Sequence, residues 1–312
     1  MTRDRAGTEV TAAHPSAPSA QPADPAAGGP PGAVIASKAA AENFPVALRM
    51  LPRRHRRHLM AVYAYARTVD DIGDEGAPEQ RLALLADLEQ DLERLQANLS
   101  GGTDGVGQPR HPAVRGLAGV VTDCSIPMQP FRDLIAANQQ DQLVTRYQTF
   151  GELLGYCTLS ANPVGRIVLQ VFGCSTPERV GLSDSICTGL QIVEHLQDVA
   201  EDLRAGRVYL PADDLREHGC TEQDLAASTA PPQLRRLIRF EAARADALIS
   251  SGAPLVGQLR GAARAAVAGY VAGGRAALVA IAAADYDVLA ATPRPAHGRT
   301  VRELASAMLR GR

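Results

Sequence analysis

The sequence predicts an all-α fold, and three observations predict it. Apolar residues recur at helical spacing along most of the chain, no stretch sustains strand-like alternation, and no GxGxxG follows a strand-like run. Large side chains are scarce: aromatics make up 4% of 312 residues and Trp is absent, while Ala and Gly abound. A chain of this kind builds its core from thin helices that approach closely through small side chains. With 46% hydrophobic residues it is long enough for one large core or two modest ones.

Residues 1–33 carry almost no large apolar side chains and many Pro, Ala and Gly. Too little surface can be buried there to offset chain entropy, so a disordered tail is expected. From Val34 onward the helical period dominates. Leu48, Leu51, Leu59, Val62, Tyr63, Ala66 and Val69 share one face of a helix expected to end near Asp74, and Pro52 marks a break between an entry helix and this main helix. Leu82, Leu85, Leu88, Leu92 and Leu95 form the stripe of a further helix, followed by a Gly-rich linker from Gly101 to Gly107. Phe131–Gln142, Phe150–Gly173, Ser183–Leu203, Pro232–Ser251 and Arg260–Leu289 read as the other long helices, Pro163 being expected to kink the second of these. A single helical domain over 34–292 is expected. Residues 293–312 form a basic amphipathic tail, with Val301, Leu304 and Met308 on one face and Arg299, Arg302, Arg310 and Arg312 around it. Such a helix can lie on anionic lipid as a peripheral membrane contact, or pack against the body.

A formal net charge of −2 gives no reason to expect a nucleic-acid partner. Five scattered cysteines with no CxxC pair speak against a disulfide framework or a zinc site and fit a reducing compartment. No run of 18 apolar residues appears, and the N-terminus lacks an apolar signal core, so a cytoplasmic location is expected.

Two acidic motifs carry the chemistry. In VYAYARTVDDIGDE, Asp70 and Asp74 are four apart, as are Asp71 and Glu75. On a helix these pairs stack one turn above each other, and like charges there destabilise it by a few tenths of a kcal/mol per pair. Carboxylates at a helix C-terminus also oppose the macrodipole. Bound divalent cations remove both penalties, and hard oxygen ligands in this number suit Mg²⁺. A solvated acidic helix end is the alternative for this motif taken alone.

In GLQIVEHLQDVAEDLRAGRVYLP, Gln191, Glu194, Asp198 and Asp202 follow the spacing i, i+3, i+7, i+11. At about 100° per residue they fall within roughly an 80° sector of one helix face. Leu190, Val193, Leu196 and Val199 flank that stripe, which therefore faces an enclosed space, and Glu201 stands at its rim. Two such rows on separate helices suit three Mg²⁺ ions that neutralise a departing diphosphate, with Arg67 and Arg207 completing the clamp. A di-iron carboxylate bundle wants Glu-x-x-His pairs, and no Glu here has His three residues later.

At these residues the chain resembles the squalene/phytoene synthase family of class I isoprenoid synthases. Tyr63, Arg67, Asp70, Asp71 and Asp74 fit its first motif, and Gln191, Asp198, Glu201, Asp202, Arg207, Tyr209 and Pro211 its second; the resemblance spans about residues 40–290. ENFPVALRMLP, YCTLSANPVGRIVL and YDVLAATPRP are similar to the bacterial hydroxysqualene synthase branch. The resemblance implies a helical bundle around a central cavity. It also implies metal binding by Asp70, Asp71, Asp74, Glu194, Asp198 and Asp202, and substrate contacts from Phe44, Arg67, Gln191, Arg207 and Tyr209. The implied reaction converts presqualene diphosphate and water to hydroxysqualene without NADPH; head-to-head condensation of two allylic diphosphates is the alternative, and a catalytically dead assembly partner a third. The isoprenoid diphosphate and neighbouring enzymes of the squalene pathway are the implied partners. Two departures from the family pattern stand out: Glu194 replaces a frequent Asn, and Ala40, Ala41, Glu42 and Asn43 replace a His-Ser element before Phe44.

Carbocation chemistry needs an apolar, water-poor pocket with aromatic faces or hydroxyl dipoles. Tyr156, Ser160, Ala161, Val164 and Gly165 share one helical face that is expected to line it, or else to serve ordinary close packing. Tyr63 is either a cation-steadying ring or core. His195 is expected to be a packing residue, turned off the acidic azimuth.

Overall fold

The computed structural model describes residues 51–101, 107–295 and 297–310; the expected N-terminal tail, Phe44 with the stretch before it, and most of the Gly-rich linker lie outside these. Among the described residues all fourteen regular elements are helices, and the one pairing of extended backbone is an isolated parallel bridge between Arg146 and Val208. The all-α expectation holds.

Pro52 precedes α1 (Arg53–Asp74), as expected. Then come α2 (Pro78–Leu99), α3 (Pro112–Cys124) and α4 (Gln129–Asp141), each with Pro in its first turn, where the missing N–H breaks no helical bond. With α6 (Asn162–Val171) these four enclose a first apolar cluster, in which Tyr65, Leu85, Leu92, Leu117, Phe131 and Ile167 are all fully buried. Tyr65 meets Phe131 edge to face and donates its hydroxyl to the Phe131 carbonyl at 2.9 Å. The sequence reading did not single out α3, a 13-residue helix that contains Gly116 and Gly119.

The second cluster gathers α5 (Phe150–Ser160), α7 (Pro177–Gln197), α8 (Val199–Arg204), α9 (Ala212–Glu217), α10 (Glu222–Leu225), α11 (Pro232–Gly252), α12 (Leu255–Gln258), α13 (Gly261–Ala283) and α14 (His297–Arg310). Its helices do approach through small residues. A Cβ on Gly189 of α7 would stand 2.7 Å from Ile249 Cγ1 and 3.0 Å from the Ala245 carbonyl, both on α11. Helix α13 is long and apolar enough to cross a membrane, with mean hydropathy 1.6, yet 67% of its apolar window is buried within the protein. On α14, Leu304, Ala307 and Met308 pack on the second cluster, and Arg264 of α13 donates to the Met308 carbonyl at 2.7 Å. Leu304 and Met308 of the basic tail thus lie against the body.

Two expected helices are each divided. The run from Phe150 ends at Ser160 and restarts at Asn162, with Pro163 in the new first turn. Pro lacks the N–H an uninterrupted helix needs, and its ring clashes with the preceding turn, so the helix breaks rather than bends. The second run pinches at Asp198 (φ −105°, ψ 13°) between α7 and α8. Here the hydrogen-bond register survives, because Asp198 N donates to Glu194 O at 3.0 Å and Asp202 N to Asp198 O at 2.8 Å. Leu82, expected on the buried stripe of α2, is 41% exposed.

Glu241 of α11 is only 1% exposed, with Arg244 bridging it to Asp214 of α9. Burial pushes its carboxyl up to about 8, against the pull of Arg244 and with Asp214 adding to the rise, and its Oε2 has no hydrogen-bond partner. The folded value lies above the unfolded one, so the neutral form favours folding: its contribution is complete below the ordinary Glu range and is lost as pH rises through about 8. Glu241→Gln is therefore expected to flatten the decline of the urea midpoint between pH 5 and 9. An unchanged decline would show that Glu241 ionises freely.

Candidate active site

The cavity lies at the seam of the two clusters, where α4 contributes to both. The last turns of α1 bring Asp70 and Asp74 to one wall. Opposite them α7 supplies Gln191, Glu194 and His195, the α7–α8 junction supplies Asp198, and α8 supplies Asp202. Because the register carries through the pinch, the i, i+3, i+7, i+11 row survives. Tyr156 and Ser160 come from the end of α5, and Arg207 and Tyr209 from the segment after α8.

Gly206, at φ +83°, turns the chain out of α8 in a conformation that favours glycine. Arg146 then fixes that segment, donating to the Gly206 carbonyl at 2.7 Å while forked onto Glu222 at 2.6 and 2.8 Å. Val208 N reaches Thr145 O at 2.9 Å. Arg207, held this way, closes an ion pair with Asp74 at 2.8 Å across 133 residues of sequence. Among the described residues its buried Nε has no hydrogen-bond partner. The opposing macrodipole problem at the end of α1 is met from α2, where Arg81 donates to the Asp74 and Gly76 carbonyls at 2.8 and 3.1 Å.

The carboxylates crowd each other. Burial pushes Asp70 up to about 6, with Asp74 and Asp71 adding to the rise, although Asn138 Nδ2 donates to it at 3.2 Å and Arg67 also pulls it down. Burial drives Asp202 to about 7, helped by the negative charges of Asp198 and Glu201 and opposed by Arg207. Asp198 is raised by burial and by Glu201, against Arg294. The two rows therefore share a local excess of negative charge that protein cations only partly relieve.

Behind the rows sits a polar and aromatic cluster that the sequence reading did not find. Asp141 accepts hydroxyls from Tyr156 at 2.5 Å and Tyr209 at 3.0 Å. Burial lifts its carboxyl to about 6 against those two bonds. His195 stacks on Tyr209 with centroids 3.8 Å apart and rings 15° from parallel, and burial first, then Arg207, lowers it to about 3. It is both a packing residue, as expected, and part of the cavity wall. Asn138 and Asp141 were missed because they sit in the polar run Asn138–Gln142 that reads as a solvated helix end; their i, i+3 spacing beside Phe131, Leu134 and Ile135 is the signal that marks them.

Several expected residues stand elsewhere. Asp71 pairs with Arg67 at 2.7 Å, and neither they nor Tyr63 line the cavity. One residue on from Asp70 is about 100° around the helix, which turns Asp71 aside. Ala161 lies in the break between α5 and α6, and Val164 is 37% exposed. Gly165 packs beneath Ser183 and Cys187 of α7. The break after Ser160 changes the helical phase, so this face divides: Tyr156 and Ser160 line the cavity and the other three do not.

Gly73 matters for spacing. A Cβ there would land on the Asn138 amide that holds Asp70. Gly73→Ala is expected to cost about 1–3 kcal/mol of stability by overpacking. It should also lower kcat/KM about tenfold by displacing Asn138 from Asp70. Unaltered kinetics in a correctly folded variant would remove Asn138 from the positioning of the first row.

Among the described residues no three acidic, His or Cys side chains are placed to enclose an ion by themselves. The donor set nevertheless fits divalent cations. Facing rows of oxygen ligands across a cavity suit an ion such as Mg²⁺, which keeps water and takes its remaining ligands from a bound phosphate.

Comparison with known proteins shows the family. A family model described as squalene/phytoene synthase matches residues 37–302. A hydroxysqualene synthase from Sinorhizobium fredii is 36% identical over 222 residues, 70% of this chain and 72% of that relative. A phytoene synthase from Mycobacterium tuberculosis is 32% identical over 227 residues, 72% of each. The crystal structure of squalene synthase HpnC from Alicyclobacillus acidocaldarius superposes with a TM-score of 0.71 at 39% identity, covering 82% of this chain and 94% of that one. The protein with its two facing carboxylate rows is therefore an enzyme of the squalene/phytoene synthase family.

Proposed function

We propose that the enzyme converts presqualene diphosphate and water into hydroxysqualene and diphosphate. The observation that carries the first step is the pairing of Arg207 with Asp74, which ties the second motif to the first across one cavity. Asp70, Asp74, Asp198 and Asp202, with Glu194 beside them, stand where they would hold divalent metal, of which three Mg²⁺ is the number we propose. Bound there, Mg²⁺ supplies the positive charge that lets diphosphate leave with the bonding electron pair.

The residues of the chain do the rest. Arg207, with one Nη on Asp74 and its Nε without a partner among the described residues, would donate to a departing phosphate oxygen. Tyr156 and Tyr209 line the cavity while Asp141 fixes both hydroxyls, so aromatic rings border the cation without offering it a free nucleophile. Ser160 Oγ is buried and has no partner among the described residues, leaving a hydroxyl able to hold the water that ends the reaction. That water adds to the rearranged carbocation and loses a proton, so no hydride donor is required.

The likeness to hydroxysqualene synthases at 36% identity supports the water-quenched outcome. Similarity to phytoene synthases at 32% identity favours a second reading, head-to-head condensation of two allylic diphosphates. Purified enzyme, Mg²⁺ and presqualene diphosphate without NADPH should yield a product of hydroxysqualene mass. Consumption of farnesyl or geranylgeranyl diphosphate alone, with presqualene diphosphate left intact, would establish the second reading instead.

A further inference from the structure

Away from the cavity, where α1, α3 and α6 meet, three side chains form an acid–base–thiol array. His58 is 3% exposed, its Nε2 is 3.0 Å from Asp123 Oδ2, and its Nδ1 is 3.4 Å from Cys124 Sγ. A carboxylate can only accept, so Nε2 carries the proton and the Nδ1 lone pair faces the thiol. Asp123 thus holds the imidazole in the tautomer and orientation of a base, the arrangement that activates nucleophiles in unrelated folds.

The other cysteines differ. Cys157 and Cys220 are buried, Cys187 packs under Gly165, and half-buried Cys174 turns its thiol to the Leu169 carbonyl at 3.5 Å. Cys124 is half-buried as well and alone faces an imidazole. Burial pushes its thiol up, and Asp123 does so too, while Arg54 pulls it down. The thiol therefore keeps its proton until a base takes it, which is the function His58 is placed to serve. The rim is cationic: Arg54 and Arg57 approach Asp123 at 3.7 and 3.9 Å with side chains 62% and 74% exposed.

We propose that Cys124 is a modification site, a base-assisted thiol that exchanges with small anionic disulfides. In that step His58 Nδ1 takes the Sγ proton, and Sγ attacks one sulfur of the incoming disulfide. A mixed disulfide forms, the sulfur–sulfur bond of the reagent breaks, and its other half leaves as a thiolate that accepts the proton from His58. Electrons balance with no further oxidant. The exposed guanidinium groups favour a negatively charged reagent.

The test uses the full-length protein, oxidised glutathione as the probe and peptide mass mapping of each cysteine against time, with Cys174 as an internal reference. Cys124 is expected to react on the order of tenfold faster than Cys174, and to fall to the Cys174 rate in His58→Gln. Because His58 is buried, Asp123→Asn gives a second variant at a half-exposed position and should slow Cys124 in the same way. Replacing Arg54 and Arg57 by Gln should slow the reaction with oxidised glutathione but not with cationic cystamine. Equal rates at Cys124 and Cys174, or an undiminished Cys124 rate in either the His58 or the Asp123 variant, would overturn the proposal. Equal effects of the arginine replacements on both reagents would overturn its preference for anions.

Discussion

Replacing Asp70 or Asp202 by Asn is expected to lower kcat/KM by on the order of 10³-fold while leaving the fold no weaker. The cavity tolerates the charge of its own carboxylates badly. Asp70 is pushed to about 6 and Asp202 to about 7, both chiefly by burial, with neighbouring carboxylates adding to the rise. Each costs stability when ionised, and each becomes favourable only when a cation arrives. Asn keeps the size and much of the hydrogen bonding, including an acceptor for Asn138 at position 70, but it gives up the charge. Catalysis should collapse because the leaving diphosphate loses its counter-charge. The thermal midpoint without metal at pH 8 should equal or exceed that of the native chain, since a strained carboxylate has gone. That combination separates a ligand from a structural residue: native-like turnover, or a fall in midpoint that accounts for the lost activity, would remove these two groups from the metal-binding rows.

The rows were legible in the sequence because spacing is a geometric statement. Carboxylates at i+4, i+7 and i+11 share a helix face whatever the tertiary context, and even the pinch at Asp198 leaves the hydrogen-bond register from Glu194 to Asp202 intact. The break after Ser160 had the opposite effect. Once the helix restarts at Asn162, the azimuth of Val164 and Gly165 is no longer set by Tyr156, so a face drawn through all five residues includes three that do not line the cavity. Asp141 and Asn138 were illegible for a different reason. Their partners, the Tyr156 and Tyr209 hydroxyls and Asp70, come from distant segments, and a polar run at a helix end does not reveal which of its members will meet them. The helical class followed from periodicity alone, whereas the placement of α14 on α13 depended on which of two apolar surfaces, lipid or protein, receives Leu304 and Met308.

Arg207 carries the other large expected effect. It joins the motifs through Asp74 at 2.8 Å with its side chain only 16% exposed, and it keeps a buried Nε donor that no acceptor among the described residues meets. An unmet buried donor costs about 1–3 kcal/mol, so its presence points to an acceptor that arrives with the substrate. Arg207→Gln removes both the charge and the fork; it should lower kcat/KM by on the order of 10³-fold and weaken inhibition by inorganic diphosphate in parallel. Arg207→Lys restores charge but not two-point geometry, so it should recover only part of the loss, on the order of tenfold. Because Arg207 also opposes the rise of Asp202, the Gln variant leaves the second row more crowded with negative charge and should need more Mg²⁺ to reach half-maximal rate. If Lys restored full activity, the single positive charge would suffice and the Nε donor would have no part in holding diphosphate. If Gln changed neither the diphosphate inhibition nor the Mg²⁺ requirement, Arg207 would be a structural link between the two motifs and nothing more.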